Sequence, residues 1–305
     1  MIVASRFRGS LAASAAVALL LAGGRSVAAG PSQTAGQQDL LELLRKAAIY
    51  VQDYEKQFAQ VIGNEVYVQD MKDEHGLGGA PRRRLDSEVF FTRLGEGTPW
   101  LIVRNILMVN GRRVAEDSQG AIERAFAAEE MDKLQRLKAL REAGARYNVG
   151  MTSRNFSDPT LALLFLGEIY RDNFKFSLEG TESIGGQSTT KVKFDEVLSP
   201  TIIMGPAGVD LPITGRLFID ASGRILRSEL LVGNPKFSSS VIVTFREDPA
   251  VKMLVPRTMD ERHLAIIKDP NPQVDDRQSI ILCHAEYSKF RRFETSGRIV
   301  ATPPR

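Results

Sequence analysis

Apolar residues recur at helical spacing from Asp39 onward, at Leu40, Leu43, Leu44, Ala47, Ala48, Val51, Tyr54 and Phe58, which predicts an amphipathic helix to about Gly63. Strand-like alternation follows, with Val66 and Val68 set against Tyr67 and Gln69. A loop over 71–85 is expected next, holding several glycines and the run Arg82-Arg83-Arg84, and a new strand starts at Val89-Phe90-Phe91. The run from Leu101 to Val109 enters Asn110-Gly111 and leaves through Arg112-Arg113-Val114, and Asn-Gly between two such runs predicts a β-hairpin. The helical period returns over 118–143, where Ile122, Ala125, Phe126, Met131, Leu134, Leu137 and Leu140 form one stripe. A further helix is predicted over 160–170, since Asp158 can cap it and Pro159 suits its first position. Its body, 161–167, is apolar on every side, so it must be buried all round or face something greasy.

From Asn173 to Phe293 the pattern is almost purely that of antiparallel sheet. Phe174, Phe176 and Leu178 alternate with Lys175 and Ser177; Val192 and Phe194 alternate with Lys191, Lys193 and Asp195. Ile281, Cys283, Ala285 and Tyr287 alternate with Ile280, Leu282, His284 and Glu286. Alternation of this kind sets one face on a core and the other toward water. No tandem repeat or linker divides the chain, so residues 30–293 are expected to form a single α+β domain, with a flexible tail over 294–305.

Residues 1–29 change how the charge is read. They contain Arg6, Arg8 and Arg25, an apolar run from Leu11 to Ala22 broken only by Ser14, and the small-residue end Ser26-Val27-Ala28-Ala29. That order is expected of a secretory signal peptide, and the run is too short for a transmembrane helix. The formal charge of +3 comes from 40 basic and 37 acidic residues, and the leader holds three of the basic ones and no acidic one. Beyond residue 29 the chain is therefore neutral, without the basic excess that phosphate neutralisation asks for, so a nucleic-acid partner is not expected. The single Cys rules out a disulfide framework and any multi-cysteine metal site.

Catalytic and metal-binding patterns are poorly supplied. His75, His263 and His284 are far apart in sequence, and none sits in a His-Glu-x-x-His helix, so no metal and no cofactor are expected. Asp269, Asn271, Gln273 and Asp275 follow a calcium loop only superficially, because Val274 replaces the turn glycine. No Gly-x-Ser-x-Gly elbow occurs. Ser188-Thr189-Thr190-Lys191 leads into a strand pattern rather than a helical face, and Cys283 reads as a buried small hydrophobe. No catalytic residue is assigned. What stands out is apolar surplus: a ligand cavity between sheet and helices would be lined by Leu163, Phe165, Leu166, Ile169, Phe174 and Phe176. Arg82, Arg83 and Arg84 are the densest charge and the candidate contact for an anionic lipid, a membrane surface or an acidic envelope partner.

Gly215-Arg216-Leu217-Phe218-Ile219-Asp220-Ala221-Ser222-Gly223-Arg224, followed by Val243-Thr244-Phe245-Arg246 and Leu254-Val255-Pro256, resembles the C-terminal half of LolA/LolB-like periplasmic lipoprotein carriers. The ending Tyr287 to Phe293 is similar to that of uncharacterised exported bacterial proteins. The resemblance implies a curved antiparallel sheet, an incomplete barrel, with a long N-terminal helix and two inserted helices. It also implies an exported, non-enzymatic protein of the periplasm or cell envelope that binds a lipid or other hydrophobic molecule. Two other classes stay open: an envelope interaction or scaffold module without a cavity, and an envelope hydrolase.

Overall fold

The computed structural model describes residues 2–3, 31–59, 61–73, 82–93, 100–114, 120–126, 128, 130–150, 157–267 and 276–292. The expected leader, apart from Ile2–Val3 pairing with Met204 and Ile203, lies outside them, as do His75, Asp269 to Asp275 and the expected tail. Helix α1 spans Pro31–Phe58. Strands β1 (Val61–Asp73), β2 (Arg82–Arg93), β3 (Trp100–Val109) and the short β4 (Arg112–Arg113) follow as a meander. Helices α2 (Ala121–Phe126) and α3 (Glu130–Ala145) and a 3-10 helix (Leu161–Leu166) then intervene. Seven more strands complete the chain: β5 (Phe174–Ile184), β6 (Gln187–Glu196), β7 (Ile213–Ile219), β8 (Ile225–Asn234), β9 (Phe237–Asp248), β10 (Met253–Ile267) and β11 (Arg277–Arg292).

All eleven strands form one antiparallel sheet in the order β4-β3-β2-β1-β11-β10-β9-β8-β7-β6-β5. The last strand pairs with the first, so β4 and β5 are the open edges, and the helical insert carries the chain from one to the other. The sheet must be strongly curved. From β3 to β5 is nine steps in that order, roughly 43 Å if flat at about 4.8 Å per step. Yet the six-residue 3-10 helix touches β3, and its Phe165 ring stacks on Phe174 of β5 with centroids 4.4 Å apart. About 12 Å of helix cannot bridge a flat sheet of that width. The α+β incomplete barrel is therefore the observed fold.

Helix α1 lies in the concave face. Leu44, Ala47, Val51, Tyr54 and Phe58 enter one core with the inward residues of strands from both ends of the sheet and with the 3-10 helix. Phe58 packs at 4.4 Å on Phe91 and 6.4 Å on Phe290. Helices α2 and α3 cover the opposite face, where Ile122 meets Ile62 and Phe90, and Ala125 and Leu137 meet Val103. The sequence features tied to the carrier resemblance fasten these layers. Arg291 donates to Glu88 on β2 and Glu123 on α2, both at 2.8 Å, while Arg292 donates to Val251 O at 2.8 Å and to Gln57 O of α1 at 3.3 Å. Asp220 accepts from Ser222, Arg224 N and Arg224 Nε, and so builds the β7–β8 turn. In that turn Gly223 has φ +93°, and a Cβ there would lie 2.6 Å from the Lys46 carbonyl carbon of α1.

Several element boundaries differ from the sequence expectation. Helix α1 stops at Phe58 rather than near Gly63, because the chain must enter the sheet at Val61, where it pairs with Arg292. The stripe over 118–143 divides between α2 and α3, which share the outer-face contacts to Ile62, Phe90 and Val103. The greasy segment is a 3-10 helix only six residues long whose N-cap is Thr160, without a side-chain cap; Asp158 instead shapes the turn ahead of it by accepting from Thr160 N and Oγ1 at 2.8 and 2.7 Å. Arg82 to Arg84 belong to a strand rather than a loop, paired with Asp70, Gln69 and Val68. The Asn110-Gly111 hairpin is as expected, with both residues at positive φ and Asn110 N bonded to Arg84 O.

Both the turn and the loop fastenings can be tested. Gly111 also has positive φ (+76°), but a Cβ there would meet nothing within 4 Å, so G111A should cost only the conformational strain, about 1 kcal/mol. G223A adds a backbone collision with α1 and should cost at least about 3 kcal/mol in urea denaturation; equal losses would disprove the close packing of turn on helix. A pH dependence is expected from Glu196, which accepts from Ile202 N at 2.7 Å and Ile213 N at 3.1 Å and so pins the loop between β6 and β7. Partial burial, helped by the Asp210 charge, pushes its carboxyl up to about 7 against those two hydrogen bonds. Between pH 4.5 and 7 the folded chain keeps a proton that the unfolded chain has lost, so Glu196's contribution to stability falls as pH rises. Discounted for partial exposure, wild type should lose about 1–2 kcal/mol relative to E196Q across that window. Parallel pH profiles would contradict it.

Candidate functional site

The concave face is packed rather than hollow beneath the middle of α1. A void of about 10 Å³ lies among Val51, Tyr54, Phe58, Thr160, Leu163 and Leu164, near the minimum for one water. Open space is found instead at one side of α1. There a cleft of about 750 Å³ runs between the helix and the segment following Leu164, and it falls within the usual range for small-molecule sites. Ile49, Val51, Leu164, Leu166 and Ile169 supply apolar wall, while Arg45, Lys56 and Arg171 place positive charge on it, with Glu55 and Glu168 opposing. Ile49 and Ile169 are half exposed, at 50% and 53%. Tyr170 also lines the cleft; its hydroxyl is buried without a hydrogen-bond partner, and burial raises its pKa. The cleft thus offers an apolar surface and a basic rim, with the Tyr170 hydroxyl buried behind its wall.

The six expected lining residues divide. Leu166 and Ile169 reach the cleft. Leu163 borders the small void, and Phe165, Phe174 and Phe176 form an aromatic group with Phe194. The cleft residues on α1 were missed: Ile49 and Ala48 follow helical spacing, but the same spacing serves the core. Of the arginines, Arg83 donates to Tyr147 O at 2.9 Å and Arg84 pairs with Asp86 at 2.9 Å, so both hold the protein's own backbone or strand; Arg82 is exposed.

A second constellation lies inside the barrel. Along β1 the buried positions are Glu65, Tyr67 and Gln69, with Val66 and Val68 turned the other way. Arg104 of β3, half-buried, grips the fully buried Glu65 through two hydrogen bonds, 2.7 and 3.0 Å. Tyr67 Oη donates to Glu261 Oε2 on β10. Next to it His263 Nδ1 is 2.7 Å from Ser239 Oγ, and its Nε2 is 3.9 Å from Glu261 Oε1. Burial alone would raise the Glu261 pKa; the nearby His263, with Tyr67 and Ser157, outweighs it and holds the carboxyl at about 2. Gln69 closes the band by donating to Tyr147 O at 2.9 Å and accepting from Val149 N at 3.0 Å. Cys283, buried as its alternation implies, is the register partner of both Glu261 and Gln69.

No protein-family model and no curated protein sequence matches the chain. Solved structures do. An outer membrane lipoprotein-sorting protein domain from Vibrio parahaemolyticus is 10% identical, with 83% of this chain and 94% of that chain covered at a TM-score of 0.36. A DUF1329 family protein from Desulfovibrio piger is also 10% identical, covering 86% and 94% at 0.36. A LolA superfamily protein from Nitrosomonas europaea is 10% identical, covering 83% and 93% at 0.32.

Breaking the Arg104–Glu65 pair tests how the interior tolerates charge. R104M leaves a buried carboxylate without its partner and should cost about 3–5 kcal/mol in urea denaturation. The double variant R104M/E65L, which removes both charges, should recover at least about 2 kcal/mol of that loss. Equal destabilisation of single and double variants would show that packing, rather than charge pairing, dominates there.

Proposed function

We propose that this chain is an exported, non-enzymatic protein of the periplasm or cell envelope that holds a lipid or other hydrophobic ligand. The observation that carries the reading is the cleft beside α1, with apolar wall from Leu166, Ile49 and Ile169 and positive charge from Arg45, Lys56 and Arg171. An acyl chain would lie against the aliphatic residues, removing exposed apolar area from water at about 25 cal/mol per Å². An anionic head would sit among the basic residues. The leader-like residues 1–29 and the neutral chain after them agree with export. Arg82, the exposed member of the arginine run, is a secondary point of contact for a membrane surface or an envelope partner on this reading.

Delipidated protein titrated with an environment-sensitive fluorescent fatty acid tests the proposal. The wild type should bind saturably, and I49E/I169E, altering two half-exposed side chains, should bind at least about tenfold more weakly with little change in stability. Binding no better than that of an unrelated exported protein, or binding indifferent to the double substitution, would overturn it.

A further inference from the structure

From the buried triad at the other end of the barrel we infer a transition-metal site of the zinc class, formed by Glu261, His263 and Cys283 and separate from the proposed lipid cleft. The three residues are brought together by sheet geometry. Glu261 and His263 are two apart on β10 and so point to the same face, and Cys283 stands directly across from Glu261 on β11. Their donor atoms, a carboxylate oxygen, an imidazole nitrogen and a sulfur, all lie within 4.8 Å of one another, and all three residues are buried. Rigid paired strands hold them, so closing on an ion requires adjustment of side chains rather than of backbone.

The surrounding hydrogen bonds leave the correct atoms facing inward. Tyr67 Oη occupies Glu261 Oε2, which directs Oε1 toward the triad. Ser239 Oγ occupies His263 Nδ1 at 2.7 Å, which fixes the ring and directs Nε2 toward the same point. Metal-bound histidines are oriented in this way, by an acceptor on the second ring nitrogen. Glu261 Oε1 and His263 Nε2 are 3.9 Å apart, too long for a hydrogen bond and within a small side-chain adjustment of the roughly 3.4 Å between two ligands on one tetrahedral ion with bonds of about 2.0–2.2 Å. Ser157, whose hydroxyl lies beside the carboxylate, or a water can complete the coordination.

The donor set selects the ion. Thiolate with imidazole and carboxylate suits zinc and its relatives, whereas calcium and magnesium ask for six or more oxygens. A divalent ion also balances the two negative ligands, Glu261 and a Cys283 thiolate, in a place where water cannot.

Full-length, tag-free protein dialysed against a chelator and titrated with Co²⁺ decides the matter. Uptake of one equivalent should develop a thiolate-to-cobalt charge-transfer band and the visible bands of a tetrahedral site; Zn²⁺ should displace the cobalt and raise Tm, and Mg²⁺ and Ca²⁺ should do neither. C283S, nearly isosteric, should lose the charge-transfer band and weaken binding by at least about tenfold. X-ray absorption at the zinc edge of the wild type, which needs no variant, should report one sulfur among nitrogen and oxygen neighbours. Absence of uptake, a spectrum unchanged in C283S, or a zinc shell without sulfur would overturn the site and leave a buried carboxylate–imidazole pair in its place. None of these readouts depends on lipid binding, so the two proposals can fail independently.

Discussion

An antiparallel sheet with two open edges curls only if something fills its concave face, and here α1 and the 3-10 helix fill it. Every other feature depends on that contact. The core is continuous because Phe58 on α1 reaches Phe91 and Phe290 while Phe165 on the 3-10 helix reaches Phe174 and Phe194 at the other end of the sheet. Burial of such rings contributes several kcal/mol apiece, far more than any surface ion pair in the molecule. The turn at Gly223 and the Arg292 hydrogen bond to Gln57 O then fix the helix at two points along its length. The cleft exists because these anchors leave the flank carrying Ile49 and Gln52 uncovered.

Much of this was legible in the sequence where local chemistry and tertiary packing agree. Asn110-Gly111 marks a hairpin because the positive φ angles belong to the turn itself. The alternation Ile281, Cys283, Ala285, Tyr287 pointed to the correct inner face of β11, since each of those residues is buried. The boundaries that shifted are those where packing overrides pattern. The stripe over 118–143 is continuous in sequence, but it is split between two helices, with Phe126 and Leu140 packed against both outer-face patches. The apolar block near 161 needs burial on all sides, and a short, tight 3-10 turn satisfies that need as well as a longer α-helix would.

The buried polar band was not legible, and the reason is physical. On β1 the polar side chains Glu65, Tyr67 and Gln69 turn inward, while Val66 and Val68 face outward, so hydrophobicity points the wrong way over that stretch. Only the partners explain it, and these are distant in sequence: Tyr67 and Glu261 are 194 residues apart, and Arg104 answers Glu65 from another strand. His263 carried no signal either, because its neighbours in the site come from β9, β10 and β11 and converge only when those three strands pair in register. Charged groups in such a place are costly to desolvate, and replacing them with packed hydrophobes is often neutral or stabilising. They do penalise misregister, because a one-residue slip of β1 would turn Glu65 outward and leave the half-buried Arg104 without its carboxylate.

The cleft and the band also divide the barrel along its axis. Register places Thr92, at the cleft, level with the start of β1, whereas Cys283 is level with Gln69, about nine residues further along. At about 3.3 Å per residue that is roughly 30 Å, the length of a small domain. The two ends are closed by different means. At the cleft end the closure is α1 against the short segment after Leu166, held mainly by apolar contact and open to solvent. At the far end the 147–149 segment is tied down by Gln69 and Arg83 through directional hydrogen bonds. Apolar contact tolerates sliding, whereas hydrogen-bonded polar closure does not. The polar end is suited to holding fixed charge in fixed geometry, and the packed aromatic middle keeps the two apart.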